Sequence, residues 1–383
     1  MNVGMYCNWM VKPCHGGFYI SSLEAKYLLE FKKVSSELVL LSGVSSEAVT
    51  EKDVFISSDI VSLIALPEMK SYILSSIHFF AIAGGIKELL NRTKFIYVRT
   101  PEPFSWLFFI FKNKHHVINY HFTSNPIDLI KRKYKNHFFK KIIILSIFYF
   151  EFYLICISAY FCRSSSNGPS VIDEIPFFLK GKMRVLVEST LDSDVDVFKR
   201  DDINNEGLNF LCVSRLMPAK GLETLIDAFN SLMPKHGENI KLFIGGDGPL
   251  DFQLKEKVRI LGLEDSVKFL GFLSNGEELN QIYKKADVFV NPSFSETGPR
   301  VLLEAMSHSV FCISTDVGYA KLVMMKNDIC LGRIIDIDDV DMLRDSMEYA
   351  IFHKWECLQI GNDCSEVAKK YTLNKFVRDI FYG

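Results

Sequence analysis

One stretch constrains this chain more than any other: ADVFVNPSFSETGPRVLLEAMSHS, residues 286 to 309. Its opening clusters apolar residues as a short buried strand does, and from Val301 onward they recur at helical spacing. Between the two, Pro292, Ser293 and Ser295 punctuate a loop. Gly298 and Pro299 then open the helix, where proline is tolerated because the first amides have no partner inside the helix. Those free amides make an anion site. Glu296 lies in the loop and Glu304 inside the helix, so the two do not share a helical face and are read as meeting one ligand from two directions. Carboxylates accept hydrogen bonds from sugar diols, while amide ends and cations meet phosphate, so a nucleotide sugar suits the arrangement. Loop and helix glutamates are common, and spacing alone leaves a merely solvated pair open.

The chain has 383 residues, enough for two domains, each with its own core. Its formal charge of −2 argues against a nucleic-acid binder, which carries a basic excess. The cysteines are scattered singly, with no CxxC pair, which fits a reducing cytosol better than a disulfide framework or a zinc site. The N-terminus shows no charged lead followed by an apolar core, so a cytoplasmic address is expected.

The N-terminal half begins as a βαβ unit. Residues 2–7 read as a strand, NWMVKPCHGGFY as a loop, SSLEAKYLLEFKKV as an amphipathic helix and ELVLLSGV as a second strand. Gly16 and Gly17 sit where ligands approach a doubly wound sheet, although the full GxGxxG spacing is missing and turn geometry alone would account for them. Further strands are expected at 94–100, 115–122 and 153–159. His121 then falls at a strand end beside Thr123, Ser124 and Asn125, a candidate for touching substrate, although a lone histidine is more often structural.

The run IIILSIFYFEFYLICISAYFC (142–162), preceded by KRKYKNHFFKK, is long and apolar enough to be a membrane span. Glu151 in its middle argues instead for a helix, IIILSIFYF, followed by a buried strand, YLICISA. Cations beside exposed aromatics suit peripheral contact with an anionic bilayer, and a solvated helix face is the plainer reading of the charge run.

LDSDVDVFKRDDINNEG (191–207) is polar and weakly periodic and reads as a linker between domains 1–195 and 208–370. Asp192, Asp194 and Asp196 alternate there, but an EF-hand would need Gly at 197 and Glu at 203, where Val197 and Ile203 stand. Beyond the linker, strands alternate with helices, the pattern of a parallel sheet wound on both sides. The loops at its strand ends carry Arg215 and Lys220, the glycine turn Gly245, Gly246 and Gly248, then Glu296 and Glu304. One Arg and one Lys supply the positive charge a pyrophosphate needs in place of a metal, the Arg gripping two oxygens at once.

At these residues the chain resembles the retaining glycosyltransferases of family 4, of GT-B fold, over most of residues 209–318. SRLMPAKG is similar to that family's G-R-L-x-x-x-K-G segment, IGGDGPL to its glycine turn, and SETGPRVLLEAM to its pair of glutamates seven residues apart. The resemblance implies two Rossmann-like α/β domains facing a cleft, the first holding the acceptor and the last helix, within 371–383, packing back on it. It implies that Arg215 and Lys220 hold the donor diphosphate, with Gly246 and Gly248 close by, that Glu304 holds the ribose, and that Glu296 holds the transferred sugar. Where the family has Gly-Phe-Gly after the first glutamate, this chain has Thr297, Gly298 and Pro299. Ser309, Phe311 and Leu322 depart as well, changes that bear on donor choice.

The expected activity is metal-independent transfer, with retention, from a UDP- or GDP-linked sugar, with no cofactor beyond the donor. The acceptor is read as a lipid-linked saccharide of O-antigen, capsule or exopolysaccharide synthesis at the inner membrane face. An epimerase or hydrolase on the same fold, a nonenzymatic nucleotide-sugar binding protein and an integral membrane protein are the competing classes.

Overall fold

The computed structural model of the chain describes all residues except 70, 71, 73, 124–137, 193–197, 202–206 and 275. It divides into two compact units: Met1–Leu186 with Val377–Gly383, and Val187–Phe376. The chain thus leaves the first unit ahead of the polar run 191–207, the described part of which belongs to the second.

The first unit is built on a seven-stranded parallel sheet. Edge to edge its strands are Arg184–Leu186, Arg163–Asn167, Val117–Phe122, Phe95–Thr100, Asn2–Tyr6, Glu37–Gly43 and Ser62–Leu66. The order reverses direction at Asn2–Tyr6 and Phe95–Thr100, which is the doubly wound arrangement. The helix Ser22–Lys33 connects the first two parallel strands. It starts where Ser21, as N-cap, accepts a hydrogen bond from the Glu24 amide (3.4 Å) and donates its hydroxyl to the Glu24 carboxylate (2.7 Å), and it ends on Lys32 and Lys33, favourable at the negative end of the helix dipole.

Two readings of the sequence are corrected here. The segment expected as a loop, NWMVKPCHGGFY, holds a hairpin of Lys12–Cys14 and Gly17–Ser21, to which Asp53–Ser57 adds a third antiparallel strand. The inward Phe18 and Ile20 alternate with more open residues, a period too short to stand out beside the glycines. Gly16 makes the turn at φ +81°, and a Cβ on Gly17 would sit 2.1 Å from the Ile56 carbonyl oxygen, so hairpin geometry accounts for both glycines.

The second correction concerns the apolar run. It is one continuous helix, Phe138–Tyr160, and no strand forms at 153–159. No Gly or Pro interrupts it, and a continuous apolar run cannot by itself be divided between helix and buried strand. The strand that does follow is Arg163–Asn167, a run of serines that hydrophobic patterning passes over. Two of its three hydroxyls are satisfied, Ser165 Oγ accepting from Asn119 Nδ2 (3.0 Å) and facing His121 Nδ1 (2.9 Å) and Ser166 donating to the Gly168 carbonyl (2.9 Å), while Ser164 Oγ is buried without a partner.

The final residues belong to this first unit. Phe381 packs its ring on Phe31 and Phe95, while Arg163 and Arg184 donate to the carbonyls of Phe381 (2.8 Å) and Asp379 (2.9 Å), cations placed on the carbonyl end of a helix.

Beyond the sheet's reversal point, Glu102 is buried and accepts the Asn8 amide (2.9 Å). Burial pushes its carboxyl up to about 8, against an ordinary 4.5. The folded state then keeps a proton that the unfolded chain has lost, so stability falls as pH rises from about 5 to 8 and levels off above that. Glu102→Gln, which keeps the acceptor and removes the ionisation, is expected to flatten that decline; urea midpoints measured across the window decide it.

The second unit carries a six-stranded parallel sheet in the order Val267–Gly271, Ile240–Gly245, Leu208–Val213, Val288–Asn291, Phe311–Thr315, Arg333–Ile335. Here the reversal falls between Leu208–Val213 and Val288–Asn291, and ligands of such sheets bind beyond the carboxyl ends of those two strands. Leu225, Phe229 and Leu232 of the helix Leu222–His236, with Leu343 and Met347 of the helix Val340–Phe352, cover one face of the sheet. The helix Arg300–Ser307 packs Leu302, Leu303 and Met306 into a separate core on the other side.

Candidate functional site

Both strands at the reversal point feed loops that pack on each other. Ser214 donates its amide to Gly245 (3.0 Å), Leu216 to Asp247 (2.8 Å), Leu250 to Leu216 (3.0 Å) and Phe294 to Ala219 (2.8 Å). Glycine appears where these backbones cross. A Cβ on Gly246 would lie 1.8 Å from the Ser214 carbonyl oxygen, and one on Gly221, whose φ is +62°, would lie 2.0 Å from that of Pro292. The expected glycine turn therefore exists, and at Gly246 and Gly248 it serves the close packing of loop on loop.

The strand–loop–helix reading of 286–309 holds: a strand at Val288–Asn291 and a helix at Arg300–Ser307, with Pro299 at its N-cap making no side-chain cap bond. Gly318 lies against the backbone of Thr297 and Gly298, a Cβ there coming within 2.6 Å of the Thr297 carbonyl carbon. The loop Glu296-Thr297-Gly298-Pro299 is thus backed by main chain just ahead of the helix amides.

Within this framework Lys220 and Glu296 meet in a direct ion pair, their side chains 13% and 19% exposed. Sequence placed them seventy-six residues apart on loops of one edge; the fold joins them. Glu296 is held further by Ser293, whose hydroxyl lies 2.8 Å from Asn291 Oδ1 and 3.4 Å from the Glu296 carboxylate. Asn291 in turn donates to Ser314 (3.0 Å), and Thr315 donates to the Ser293 carbonyl (2.6 Å). Of these four polar residues at the ends of adjacent strands, the sequence singled out only Ser293, and only as punctuation of the loop. The signal was present in the switch from apolar to Asn and Ser at the close of each strand.

Arg215, on the same loop as Lys220, is exposed. Glu304 points elsewhere than the Lys220–Glu296 pair: one carboxylate oxygen accepts from Thr190 Oγ1 (2.5 Å) and the other from Tyr283 OH (3.1 Å). Burial and the neighbouring Glu304 charge raise the Tyr283 phenol well above its ordinary value, so it remains a donor. Thr190 and Tyr283 were not foreseen, since they come from the opening residues of the second unit and from a different helix.

His121 does not fit the catalytic role considered for it. It is fully buried against the Tyr97 ring, with Nδ1 2.9 Å from Ser165 Oγ, and a side chain without exposed surface touches no acceptor in this structure. Of its expected companions, Ser124 and Asn125 lie outside the described residues, as do Asp194 and Asp196.

A cavity of about 790 Å³ lies in the second unit, lined among others by Arg200, Asn209 and Asp287. Its lining joins Asn209 and Asp287, at the amino ends of their strands, to Leu211 and Phe243 in mid-strand and Leu270, so it lies along a face of the sheet rather than at the carboxyl-end loops that carry Lys220 and Glu296. Arg200 is already engaged there, donating to the carbonyls of Tyr283 (2.8 Å) and Lys284 (3.1 Å).

Residues 196–370 match the family model described as glycosyl transferases group 1. That span covers most of the second unit and every residue of the Lys220–Glu296 network. Among curated relatives, the alpha-monoglucosyldiacylglycerol synthase of Streptococcus pneumoniae is 32% identical over 124 residues, 29% of this chain and 28% of that protein. The chain matches only about a quarter of the length of such relatives. Likeness of fold extends over the whole chain. A glycosyltransferase from Rickettsia africae matches with TM-score 0.70 at 16% identity, covering 99% of this chain and 96% of that one. The Anabaena protein HepE, solved with UDP, matches with TM-score 0.67 at 15% identity, covering 99% and 98%. The fold is therefore GT-B: two Rossmann-like α/β units, and the group 1 glycosyltransferase match falls on the second.

Proposed function

We propose that this protein transfers a sugar from a UDP- or GDP-linked donor to a lipid-linked saccharide, with retention of anomeric configuration and without a required metal, in assembly of a bacterial surface polysaccharide such as O-antigen, capsule or exopolysaccharide. The reading rests on the Lys220–Glu296 pair at the sheet's reversal point, beside Arg215 and the first turn of the helix Arg300–Ser307. The UDP complex of HepE supports a nucleotide donor, and the name of the pneumococcal synthase supports a glycolipid acceptor.

With no ligand the cation and the acid neutralise each other. A donor diphosphate competes for Lys220, because its two negative charges, one on each phosphate, attract an ammonium more strongly than one carboxylate does, and it draws Arg215 in as a bidentate partner. Glu296 is then released to accept a hydrogen bond from a sugar hydroxyl. As the bond from the anomeric carbon to the phosphate oxygen breaks, its electron pair goes to the diphosphate, where Arg215, Lys220 and the helix amides stabilise the growing charge. The acceptor hydroxyl attacks from the same face and passes its proton to the departing phosphate oxygen. Glu304, steadied by Thr190 and Tyr283, is assigned to the ribose hydroxyls, and Gly16 and Gly17 are left with a structural role.

Thermal unfolding with UDP and GDP sugars tests the donor assignment. A ligand at one hundred times its Kd adds about 2.7 kcal/mol to the stability of the state that binds it, so one nucleotide series is expected to raise Tm by several degrees. Product analysis with the responding donor then separates the classes. A transferase turns over only when acceptor is supplied, an epimerase or hydrolase turns over without it, and a pure binding protein does neither.

A further inference from the structure

The cavity of about 790 Å³ on the sheet face of the second unit has the size of a small-molecule site, for which about 300–1,000 Å³ is usual. All of its described lining belongs to that one unit. Leu211, Phe243 and Leu270 stand on three neighbouring strands and form an apolar floor, joined by Ile282 from the helix Glu277–Lys285. Phe243, Leu270 and Ile282 are only half-buried. Apolar surface is thus left uncovered in the interior of a folded unit, where close packing would otherwise fill it.

The polar part of the lining is cationic. Lys199, Arg200, Lys284 and Lys285 stand against two acids, Asp201 and Asp287, and Asp287 is paired with Arg200 at 3.7 Å. Lys199 and Lys284 reach Glu366 and Glu277 only at 3.8 and 3.9 Å, and Lys285 has no carboxylate partner among the described residues. Such long surface pairs are weak and give way to a better anion. Phe198 adds a ring to the same lining, with the Arg200 guanidinium and the Lys284 ammonium each 5.9 Å from its centroid. An apolar floor, a ring and a cationic rim suit a flat apolar body that carries a single anionic head.

We propose that this cavity is an effector site for a compact amphipathic anion, and that filling it weakens the hold of the second unit on its nucleotide. The link runs through Arg200. Between Ile282 and Lys284, both in the lining, Tyr283 sends its hydroxyl to Glu304 (3.1 Å). The Tyr283 ring stacks on His308, centroids 5.4 Å apart, and His308 Nδ1 lies 2.8 Å from the Glu304 carbonyl. One guanidinium anchors both partners of Glu304: Arg200 donates to the carbonyls of Tyr283 (2.8 Å) and Lys284 (3.1 Å), and its Nε to that of His308 (3.3 Å). A charged acceptor forms a stronger hydrogen bond than a neutral carbonyl, so an anion in the cavity draws Arg200 away from these carbonyls and loosens the two residues that steady Glu304. The effect on nucleotide rests on the assignment of Glu304 to the ribose, whereas the binding site itself does not.

The experiment is a fluorescence titration of the full chain with 8-anilinonaphthalene-1-sulfonate, a pair of aromatic groups bearing one sulfonate. Saturable binding of one equivalent is expected. Lys199→Glu combined with Lys285→Glu, both at exposed positions, is expected to weaken it by about tenfold or more through reversal of the rim charge, with melting temperature unchanged. Leu270→Trp, which fills the floor, is expected to block it, and if that variant fails to fold the lysine pair still decides. Equal affinity in parent and lysine variant overturns the proposal. In the parent, saturating probe is expected to raise the Kd for UDP or GDP by about fivefold or more, and the nucleotide to weaken the probe by the same factor, as linkage requires. That mutual weakening reaches a plateau when both ligands are bound together. Complete displacement of the probe by nucleotide places it in the donor site and overturns the proposal, while probe binding with an unchanged nucleotide Kd removes the effector role. Absence of any response to UDP or GDP defeats the donor assignment, and the probe titrations of parent and variants still decide the site.

Discussion

Lys220→Ala lowers kcat/KM for sugar transfer by a factor of about 10²–10³, the scale on which removal of one preorganised charge-stabilising donor acts. Lys220 is the cation the fold holds against Glu296, and in the proposed mechanism it stabilises charge that appears only as the diphosphate departs. Its loss therefore falls on kcat more than on KM. Stability changes too, because Glu296 loses its counter-charge while 19% exposed. Breaking such a half-buried pair costs less than the 3–5 kcal/mol typical of full burial, on the order of 1–2 kcal/mol. Glu296→Ala is expected to have a comparable effect on turnover, and the double variant to be less impaired than the product of the two, since each residue holds the other in place. Steady-state kinetics on the three variants, each checked for fold by circular dichroism, decides it. Parent-like rates for Lys220→Ala would remove the basis of the proposed function.

Gly246→Ala is expected to destabilise the second unit by on the order of 3 kcal/mol and to abolish the nucleotide-induced rise in Tm. The glycine sits at φ +135°, and the added Cβ would lie 1.8 Å from the Ser214 carbonyl oxygen. Neither backbone can yield cheaply: Ser214 donates to the Gly245 carbonyl at 3.0 Å and Gly246 to that of Gly271 at 2.7 Å. The loop that must move is the one that carries Arg215 and Lys220. Gly84→Ala is the matched control. It lies in the helix Phe79–Arg92 with nothing within 4 Å of the added methyl, so it is expected to stabilise by about 0.5–1 kcal/mol. Urea titration of both variants tests the contrast, and an equal response would show that the crossing of loops at Gly246 is not tight.

The second unit was far more legible than the first. Its strands are short runs of Val, Ile, Leu and Phe, all but the last, Arg333–Ile335, closed by a glycine- or proline-marked loop, so that local preference and tertiary role agree. In the first unit they part company. Arg163–Asn167 is a buried strand written in serines, and its burial depends on hydroxyl partners from a neighbouring strand. The run 142–162 is apolar throughout for two reasons at once: half of its helix faces the core and the other half faces out. No periodicity survives in such a run to separate the two faces.

His121 shows the same limit from the other side. Its position at a strand end was visible in the sequence, but whether the ring opened to solvent or lay beneath Ser165 depended on a strand that had not been recognised.

From the sequence alone came the alternation of strands and helices, hence a parallel sheet wound on both sides, and the edge on which Arg215, Lys220, Glu296 and Glu304 would stand. Those follow from preferences a residue expresses within a few neighbours of itself. Tertiary structure alone decided that Lys220 meets Glu296, that Thr190 and Tyr283 take Glu304, and that His121 is closed off. Each of these depends on loops and strands far apart along the chain being brought within hydrogen-bonding distance, and distance in space is the one quantity that local pattern does not carry.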